Sequence, residues 1–185
     1  MPRPKVSDVD FIDFLIATPR QATATEAQRT QPAGAADPAA HDAYTRLLHR
    51  LEPDSESLWA EVRPDVRLDA GVLVLDDSVQ DKPYARRMDL VHYQWSGKHR
   101  AVVKGIGLLT LLWTDGDRHL PCDYRVYDKP AAGAAGAAGA AGAAGDGKTK
   151  NDHFRDLLSA AAGRGFAPEC VLFDSWSSGL ARPPS

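Results

Sequence analysis

The pattern of hydrophobic and polar positions predicts a buried β-strand at residues 72–75, where four apolar residues run directly into two aspartates. The whole stretch, from Gly71 to Ser78, is GVLVLDDS, and a short apolar run rich in β-branched residues is typical of a strand buried on both faces. Such a strand does not need adjacent carboxylates at its end. We therefore expect one of these aspartates to hold a divalent metal ion, provided that a second acidic group lies beside it.

Residues 1–65 differ in character from the rest of the chain and predict a helical N-terminal region. Dense apolar residues between Val9 and Ile16 predict a mostly buried helix that ends before Pro19. The polar segment at residues 20–36 is weakly patterned, and we expect it to be partly mobile.

Two more helices are expected before residue 65. Asp37 suits an N-cap and Pro38 suits a first helical position, so a helix with one apolar face is expected to begin there. A shorter helix follows Asp54 and ends at Pro64. Small helical bundles at the front of a chain often bind DNA, but a packing appendage with a solvated charged face explains the same pattern. Both interpretations stay open.

The second half of the chain predicts a β-hairpin, a helix and a final strand. The hairpin spans residues 101–128 and has Asp115-Gly116 as its turn. Its second strand alternates, and one face is expected to carry Cys122, Tyr124 and Val126. A helix is expected over residues 151–163 and a short apolar strand over Cys170–Phe173.

The order of these elements indicates where a second aspartate, Asp174, lies in the sheet. A strand–helix–strand crossover makes the final strand parallel to another strand of the same sheet. If it lies beside the first strand, Asp77 and Asp174 emerge at the same edge, with the two strands roughly 4.8 Å apart. Carboxylates placed in this way suit one or two Mg²⁺ ions and phosphoryl transfer.

Between residues 82 and 104 the chain is basic, with six basic residues against one acidic residue and with aromatic residues interleaved. Such a mixture suits a nucleic-acid backbone and exposed bases, although a charge run is also typical of a solvated surface. The segment follows the acidic strand directly, and this position favours nucleic-acid binding. With two later lysines included, the candidate DNA-binding residues are Lys82, Arg86, Arg87, Trp95, Lys98, Arg100, Lys104, Lys148 and Lys150.

Residues 131–145 form an Ala-Ala-Gly repeat with glycine at every third position. Because proline is absent and the repeats are few, a collagen triple helix is implausible, and we interpret the segment as a low-complexity loop insertion. Its end matches the phosphate-binding pattern GxxxxGK[ST] at residues 142–149. The repeat stands where that motif needs a buried strand, so we interpret the match as chance and expect no nucleotide cofactor.

Composition and charge argue against several other classes of protein. The net charge of −3 and the pI of about 6.0 do not by themselves indicate a nucleic-acid-binding protein. The two cysteines stand far apart, which argues against a zinc site and against a disulfide-built secreted domain. The N-terminus lacks the apolar stretch of a signal peptide, and the longest apolar run is too short to span a bilayer. We therefore expect a cytoplasmic protein without a membrane partner.

Four stretches of the sequence resemble insertion-sequence DDE transposases with an RNase H-like catalytic domain. In chain order they are LVLDDSVQDKPYARRMDLVHYQWSGKHRAVVKGIGLLTLLWTDG, DYRVYDK, DGKTKNDHF and RGFAPECVLFDSW. The resemblance covers residues 9–180. It implies an α/β fold, in which an incomplete RNase H-like mixed sheet (a three-stranded meander, a helix and a parallel strand) occupies residues 66–180 after the small helical region. It also implies binding of double-stranded transposon-end DNA, homo-oligomerisation, and strand cleavage and joining with Mg²⁺ or Mn²⁺ held by three acidic residues.

When the family's acidic residues are carried over to this chain, the first aspartate corresponds to Asp77, which precedes a hydroxyl residue. Asp76 is the runner-up for the same role. The second family aspartate is Asp174, so Asp77 and Asp174 are expected to be catalytic and to bind the metal. The third acid, a glutamate on a later helix, has no counterpart, and Ser177 stands where relatives tend to have Tyr. These departures imply a truncated or frameshifted transposase part with a tail at residues 181–185, weak metal binding and little or no transposition.

Two other functions stay open. A non-catalytic DNA-binding protein would use residues 1–65 and the basic segment, and would regulate a full-length transposase. An inert product would fail to fold when expressed alone.

Overall fold

Contacts between residues divide the chain into two compact units, Met1–Pro53 and Asp54–Ser185. Each unit has a hydrophobic cluster of its own. The computed structural model describes residues 4–32, 34, 38–51, 53–128 and 147–174. None of the helices in these ranges is long and apolar enough to cross a lipid bilayer.

The first unit is helical in its described part, with helices α1 (Asp8–Ala17), α2 (Ala24–Arg29) and α3 (His41–Arg50). Ser7 begins α1 with a capping box: its hydroxyl accepts a hydrogen bond from the backbone N–H of Asp10, and the Asp10 carboxylate accepts one from the backbone N–H of Ser7. One cluster joins the helices, and its buried members are Val6, Phe14, Ala27, Ala39, Ala43, Tyr44 and Leu47. This unit confirms the expected helical N-terminal region.

The expectation that the first helix is mostly buried is wrong. Phe14 is the buried residue of α1, while Val9, Ile12 and Ile16 are 60%, 51% and 79% exposed. The apolar residues between Val9 and Ile16 are spread around the helix, and a helix that packs through one face leaves the others in solvent. Density of apolar residues was therefore a poor guide to burial here.

The other two helices of this unit also differ from the sequence pattern. The polar segment at residues 20–36 contains α2, and the Thr23 side chain caps it by accepting a hydrogen bond from the backbone N–H of Glu26. Helix α3 begins at His41 rather than at Pro38, and no side-chain hydrogen bond caps it. Asp37, the expected N-cap, lies outside the described residues.

The second unit begins with helix α4 (Ser55–Val62), which Asp54 caps by accepting a hydrogen bond from the backbone N–H of Ser57. This helix packs against strand β4 of the same unit, although the sequence analysis grouped it with residues 1–65. The elements that follow are β1 (Val72–Asp81), β2 (His92–Ser96), β3 (Ala101–Thr114), β4 (His119–Tyr127), α5 (Lys150–Gly163) and β5 (Cys170–Phe173).

The strands of the described residues form one mixed, five-stranded sheet. Strand β3 pairs antiparallel with β1, β2 and β4, and β1 pairs in parallel with β5. Because β1 and β4 both pair with the part of β3 that ends at Thr114, they lie on opposite edges of that strand. Antiparallel strands followed by a helix and a parallel strand confirm the predicted RNase H-like architecture.

One face of the sheet packs against α5 to form the core of the second unit. Trp113 of β3 is fully buried, and its Nε1–H donates a hydrogen bond to the carbonyl oxygen of Ala70 at 2.9 Å, just before β1. The buried residues of this core are Val66, Leu73, Leu75, Leu109, Leu111, Trp113, Cys122, Phe154, Leu157 and Ala161. Packing in this core thus fixes the position of β1 through the face of the sheet that α5 covers.

Three features of the sheet differ from the sequence-based expectations. Asp76 and Asp77 lie within β1, which continues to Asp81, and not at the end of the strand. Strand β2 was not predicted at all. In β4 a register shift buries the adjacent residues Cys122 and Asp123 together, so the expected alternation along that strand is wrong.

Candidate metal centre

Asp77 is the sixth residue of β1 and lies on the face of the sheet that α5 covers. Side chains alternate along a strand, so Asp77 shares a face with the buried Leu73 and Leu75. Its register partner in β3 is Leu109, which is fully buried. Asp76 belongs to the opposite face and is exposed. Strand β1 is thus fully buried on one face only, and not on both as the apolar run predicted.

The two oxygens of the Asp77 carboxylate have different surroundings. Oδ2 accepts a hydrogen bond from Nζ of Lys150, with 2.5 Å between the two atoms. Oδ1 is buried and has no hydrogen-bond partner among the described residues. Burial raises the pKa of Asp77, the Lys150 ammonium acts against this rise, and the charge of Asp76 adds to it. A buried carboxylate in this state would be stabilised by a further cation.

Lys150 is positioned by its place at the start of α5 and by contacts with β1 and β4. It is the first residue of α5, whose start is fixed by a capping box between Thr149 and Asp152. Its ammonium lies 5.3 Å from the ring centroid of Tyr127, the last residue of β4. The Tyr127 ring in turn makes an edge contact with the buried His153, at 6.0 Å between centroids.

Asp174 follows β5 directly and is exposed. In the parallel pairing, Phe173 is the partner of Leu75, the residue before Asp76 and Asp77. The final strand therefore lies beside the first strand and parallel to it. The crossover predicted the parallel orientation and left the position beside the first strand open. The roles of the two aspartates as catalytic and metal-binding residues stay a prediction.

The carboxylate oxygens of Asp77 and Asp174 are of the type that fits a hard divalent cation. Carboxylate oxygens are ligands that Mg²⁺ and Mn²⁺ prefer, and Oδ1 of Asp77 is a buried acceptor that the described residues leave unsatisfied. No group of three or more His, Cys, Asp and Glu side chains that could hold a metal ion is present within the described ranges. The described part of the chain therefore offers two carboxylates, and it does not show a complete three-acid site.

Two of the candidate DNA-binding lysines make ion pairs within the chain. Lys150 pairs with Asp77, and Lys148 pairs with Asp156 at 2.7 Å. Lys104 donates a hydrogen bond to the carbonyl oxygen of Ala85. The remaining basic candidates are exposed, and these are Lys82, Arg86, Arg87, Lys98 and Arg100.

The exposed aromatic side chains of β2 lie on the other face of the sheet. Trp95 is 62% exposed, and its neighbour Tyr93 pairs in register with Lys104 of β3. Lys104 is five positions before Leu109, the partner of Asp77, so alternation places it on the face opposite to Asp77. The structure therefore places this basic and aromatic face opposite to Asp77, which the sequence did not predict.

A family model described as DDE superfamily endonuclease matches residues 12–181. The chain belongs to the DDE superfamily of endonucleases. No curated protein and no solved structure matches the sequence. The matched range includes both Asp77 and Asp174, and membership indicates a transposase-like nuclease function. DDE superfamily nucleases typically use divalent metal ions, which agrees with the carboxylate oxygens of Asp77 and Asp174.

Sequence reasoning missed the pairing of Lys150 with Asp77 in this DDE chain. The two residues are 73 positions apart, so no local periodicity connects them. The available signal was weak: a lysine begins the helix that leads back to the strand beside Asp77. Lys150 was therefore grouped with the DNA-binding residues, and its contact with the candidate metal ligand emerged from the fold.

Proposed function

We propose that this DDE chain carries a metal-dependent site for cleavage and joining of transposon-end DNA, with Asp77 and Asp174 as the metal ligands. The observation that supports it best is the Asp77 carboxylate, whose Oδ1 is buried and unsatisfied among the described residues while Oδ2 is paired. A buried polar atom without a partner is unfavourable unless a ligand completes its coordination. Asp174 supplies a second carboxylate after the neighbouring strand β5.

In this proposal, Asp77 holds the ion from a rigid part of the fold. It lies inside β1, between residues that pair with β3 on one side, and its own face is packed against α5. A ligand on a strand of the core needs little reorganisation when the ion binds. Bound Mg²⁺ or Mn²⁺ supplies activation of the attacking oxygen and stabilisation of the leaving oxygen in phosphoryl transfer.

The exposed basic residues between Lys82 and Lys104 are proposed to contact DNA phosphates. Phosphate contacts give affinity without sequence specificity and weaken as salt rises. The Trp95 ring is 62% exposed and is suited to stacking on an exposed base. Binding through these residues would hold double-stranded transposon ends, with Trp95 contacting them on the face of the sheet opposite to Asp77.

We further propose that the 185-residue chain by itself performs little or no transposition. The family site uses three acids, whereas the described residues contain no cluster of three potential ligands. A site without one of these acids would hold the metal in a disturbed geometry and would stabilise the transition state less.

Calorimetric titration of the chain with Mn²⁺ tests the metal site. The wild-type protein is expected to bind the ion weakly, and Asp77→Asn and Asp174→Asn are each expected to weaken binding at least about tenfold. Asp69→Asn is the matched control, because this aspartate is exposed and lies before the start of β1, whereas Asp77 lies inside the strand. Equal binding by all four proteins would contradict the proposal. Mn²⁺-dependent nicking of a supercoiled plasmid that Asp77→Asn abolishes would instead contradict the proposed inactivity.

A second candidate function is a non-catalytic DNA-binding protein that regulates a full-length transposase. The placement of Trp95 on the face opposite to Asp77 favours it, since that face does not need the carboxylates to bind DNA. In gel-shift assays over a salt series, Trp95→Ala is expected to weaken binding of a transposon-end duplex, and Asp77→Asn to leave it unchanged. A shallow salt dependence, or equal affinity for unrelated DNA, would contradict specific end binding.

A further inference from the structure

The Asp77 carboxylate already has a cation beside it, the ammonium of Lys150. The two side chains are 12% and 20% exposed, and Nζ lies 2.5 Å from Oδ2. The face of the Tyr127 ring, 5.3 Å from the same ammonium, provides a second favourable contact for the positive charge. Lys150 thus neutralises a carboxylate that burial would otherwise make unfavourable in its charged form.

A divalent ion on Asp77 and the ammonium of Lys150 would repel each other. Repulsion between like charges is strong at short distance where water is largely excluded. The main chain of Lys150 is fixed by the capping box of Thr149 and Asp152, but the lysine side chain is a flexible four-carbon stem. The ammonium can therefore leave Asp77 without movement of α5.

We propose that Lys150 is a built-in counter-ion, which holds Asp77 until a divalent metal ion displaces it. This inference rests on the proposed metal site at Asp77. Because the ammonium competes for the same carboxylate, the apparent metal affinity is lowered by the fraction of molecules in which the pair is formed. The displaced ammonium becomes available to a DNA phosphate, so phosphate binding by Lys150 and metal binding by Asp77 favour each other.

Mn²⁺ titration of the full chain by calorimetry, with melting temperatures measured in parallel, tests the competition. Lys150→Met is expected to melt at a lower temperature without metal and to bind Mn²⁺ about tenfold more tightly than the wild type. Lys150→Arg keeps the charge and is expected to keep the wild-type Mn²⁺ affinity. Arg155→Met is the matched control, because it removes an exposed ion pair with Asp152 on the same helix. Unchanged or weaker Mn²⁺ binding by Lys150→Met would overturn the inference.

A second measurement uses the wild-type chain and does not depend on the folding of any variant. Amine acetylation followed by mass spectrometry is expected to modify Lys150 several-fold faster when millimolar Mn²⁺ is added, and Lys148, paired with Asp156, at an unchanged rate. If Mn²⁺ shifts the melting temperature but leaves acetylation of Lys150 unchanged, the counter-ion role is wrong and the metal site stands. If Mn²⁺ affects no variant, the metal site and this inference are both wrong.

Discussion

Phe173 of β5 is the register partner of Leu75 in β1. Asp174 comes directly after Phe173, and Asp76 and Asp77 come directly after Leu75. Neighbouring strands lie roughly 4.8 Å apart, so this pairing brings the backbone of three aspartates to one region of the sheet. Burial then distinguishes the two aspartates of β1, because Asp77 lies on the face covered by α5 and Asp76 is exposed.

The first prediction concerns the choice between Asp77 and Asp76 as the metal ligand. Asp77→Asn is expected to abolish the rise in melting temperature that Mn²⁺ causes, because it removes the carboxylate whose Oδ1 is buried and unsatisfied among the described residues. Asp76→Asn is the matched change one residue earlier and is expected to retain the rise. Differential scanning fluorimetry with and without Mn²⁺ measures both. Loss of the response in Asp76→Asn alone would place the metal on the opposite face.

The sequence was sufficient to predict the parallel orientation of β5 and the hairpin of β3 and β4, whereas the pairing of β5 with β1 emerged from the structure. The crossover rule depends only on the order of elements, so it holds even though the exposed β5 gives a weak burial signal. The hairpin is strongly determined locally, by the apolar run of β3 and by the turn at Asp115-Gly116. The metal site was inferred from the order of these strands, so it depends on the crossover rule and on the hairpin turn.

The parts that could not be predicted depend on contacts distant in sequence. In β2 the polar Ser96 is buried while Trp95 and Tyr93 are exposed, so its hydrophobic pattern is the reverse of a normal strand. In β4 the acidic Asp123 is fully buried, and it pairs with Arg125 of the same strand and with Arg164, the residue directly after α5. No periodicity shows an ion pair of this kind before the fold is known.

The second prediction concerns Arg164, a partner of the buried Asp123. Its Nη1 lies 3.0 Å from Asp123 Oδ2 and also donates a hydrogen bond to the carbonyl oxygen of Cys122 at 3.0 Å. Arg164→Met is expected to lower the free energy of unfolding by about 3 kcal/mol, because it leaves a buried carboxylate poorly compensated. Urea denaturation measures the change.

The control for this prediction is Arg155→Met, which removes an exposed ion pair with Asp152. Exposed pairs contribute little, so the expected loss is much smaller than that of Arg164→Met. Similar losses in the two variants would show that Asp123 does not depend on Arg164 for compensation.

The third prediction concerns the pH dependence that Asp115 gives to the hairpin turn. Its carboxylate accepts hydrogen bonds from the backbone N–H of Arg118 and from the Arg118 guanidinium, and these contacts lower its pKa from 3.8 to about 2. A lowered pKa in the folded state gives stability that is present above the unfolded value and is lost as pH falls towards 2. Asp115→Asn should therefore melt below the wild type at neutral pH, with the difference closing as pH approaches 2.

Thermal melting followed over this pH range measures the effect of Asp115. Asp117→Asn is the control, since this neighbouring aspartate is an exposed residue of the same turn and contributes its backbone N–H rather than a carboxylate contact. A difference between wild type and Asp115→Asn that stays constant with pH would mean that the charge of Asp115 is not what stabilises the turn.

The last prediction concerns Gly71, the residue directly before β1. Its conformation restricts the start of the strand that carries Asp77. Gly71 has φ +82°, and a Cβ atom there would lie 2.7 Å from both the carbonyl oxygen of Thr114 and Nε1 of Trp113. Gly71→Ala is expected to destabilise by about 3 kcal/mol, since left-handed strain and a steric overlap add together. Gly116, with φ +100° and nothing within 4 Å of its Cβ position, is the matched control for strain alone. Gly116→Ala should cost about 1–2 kcal/mol in the same urea denaturation, and equal losses would mean that the contact with Thr114 and Trp113 does not restrict the start of β1.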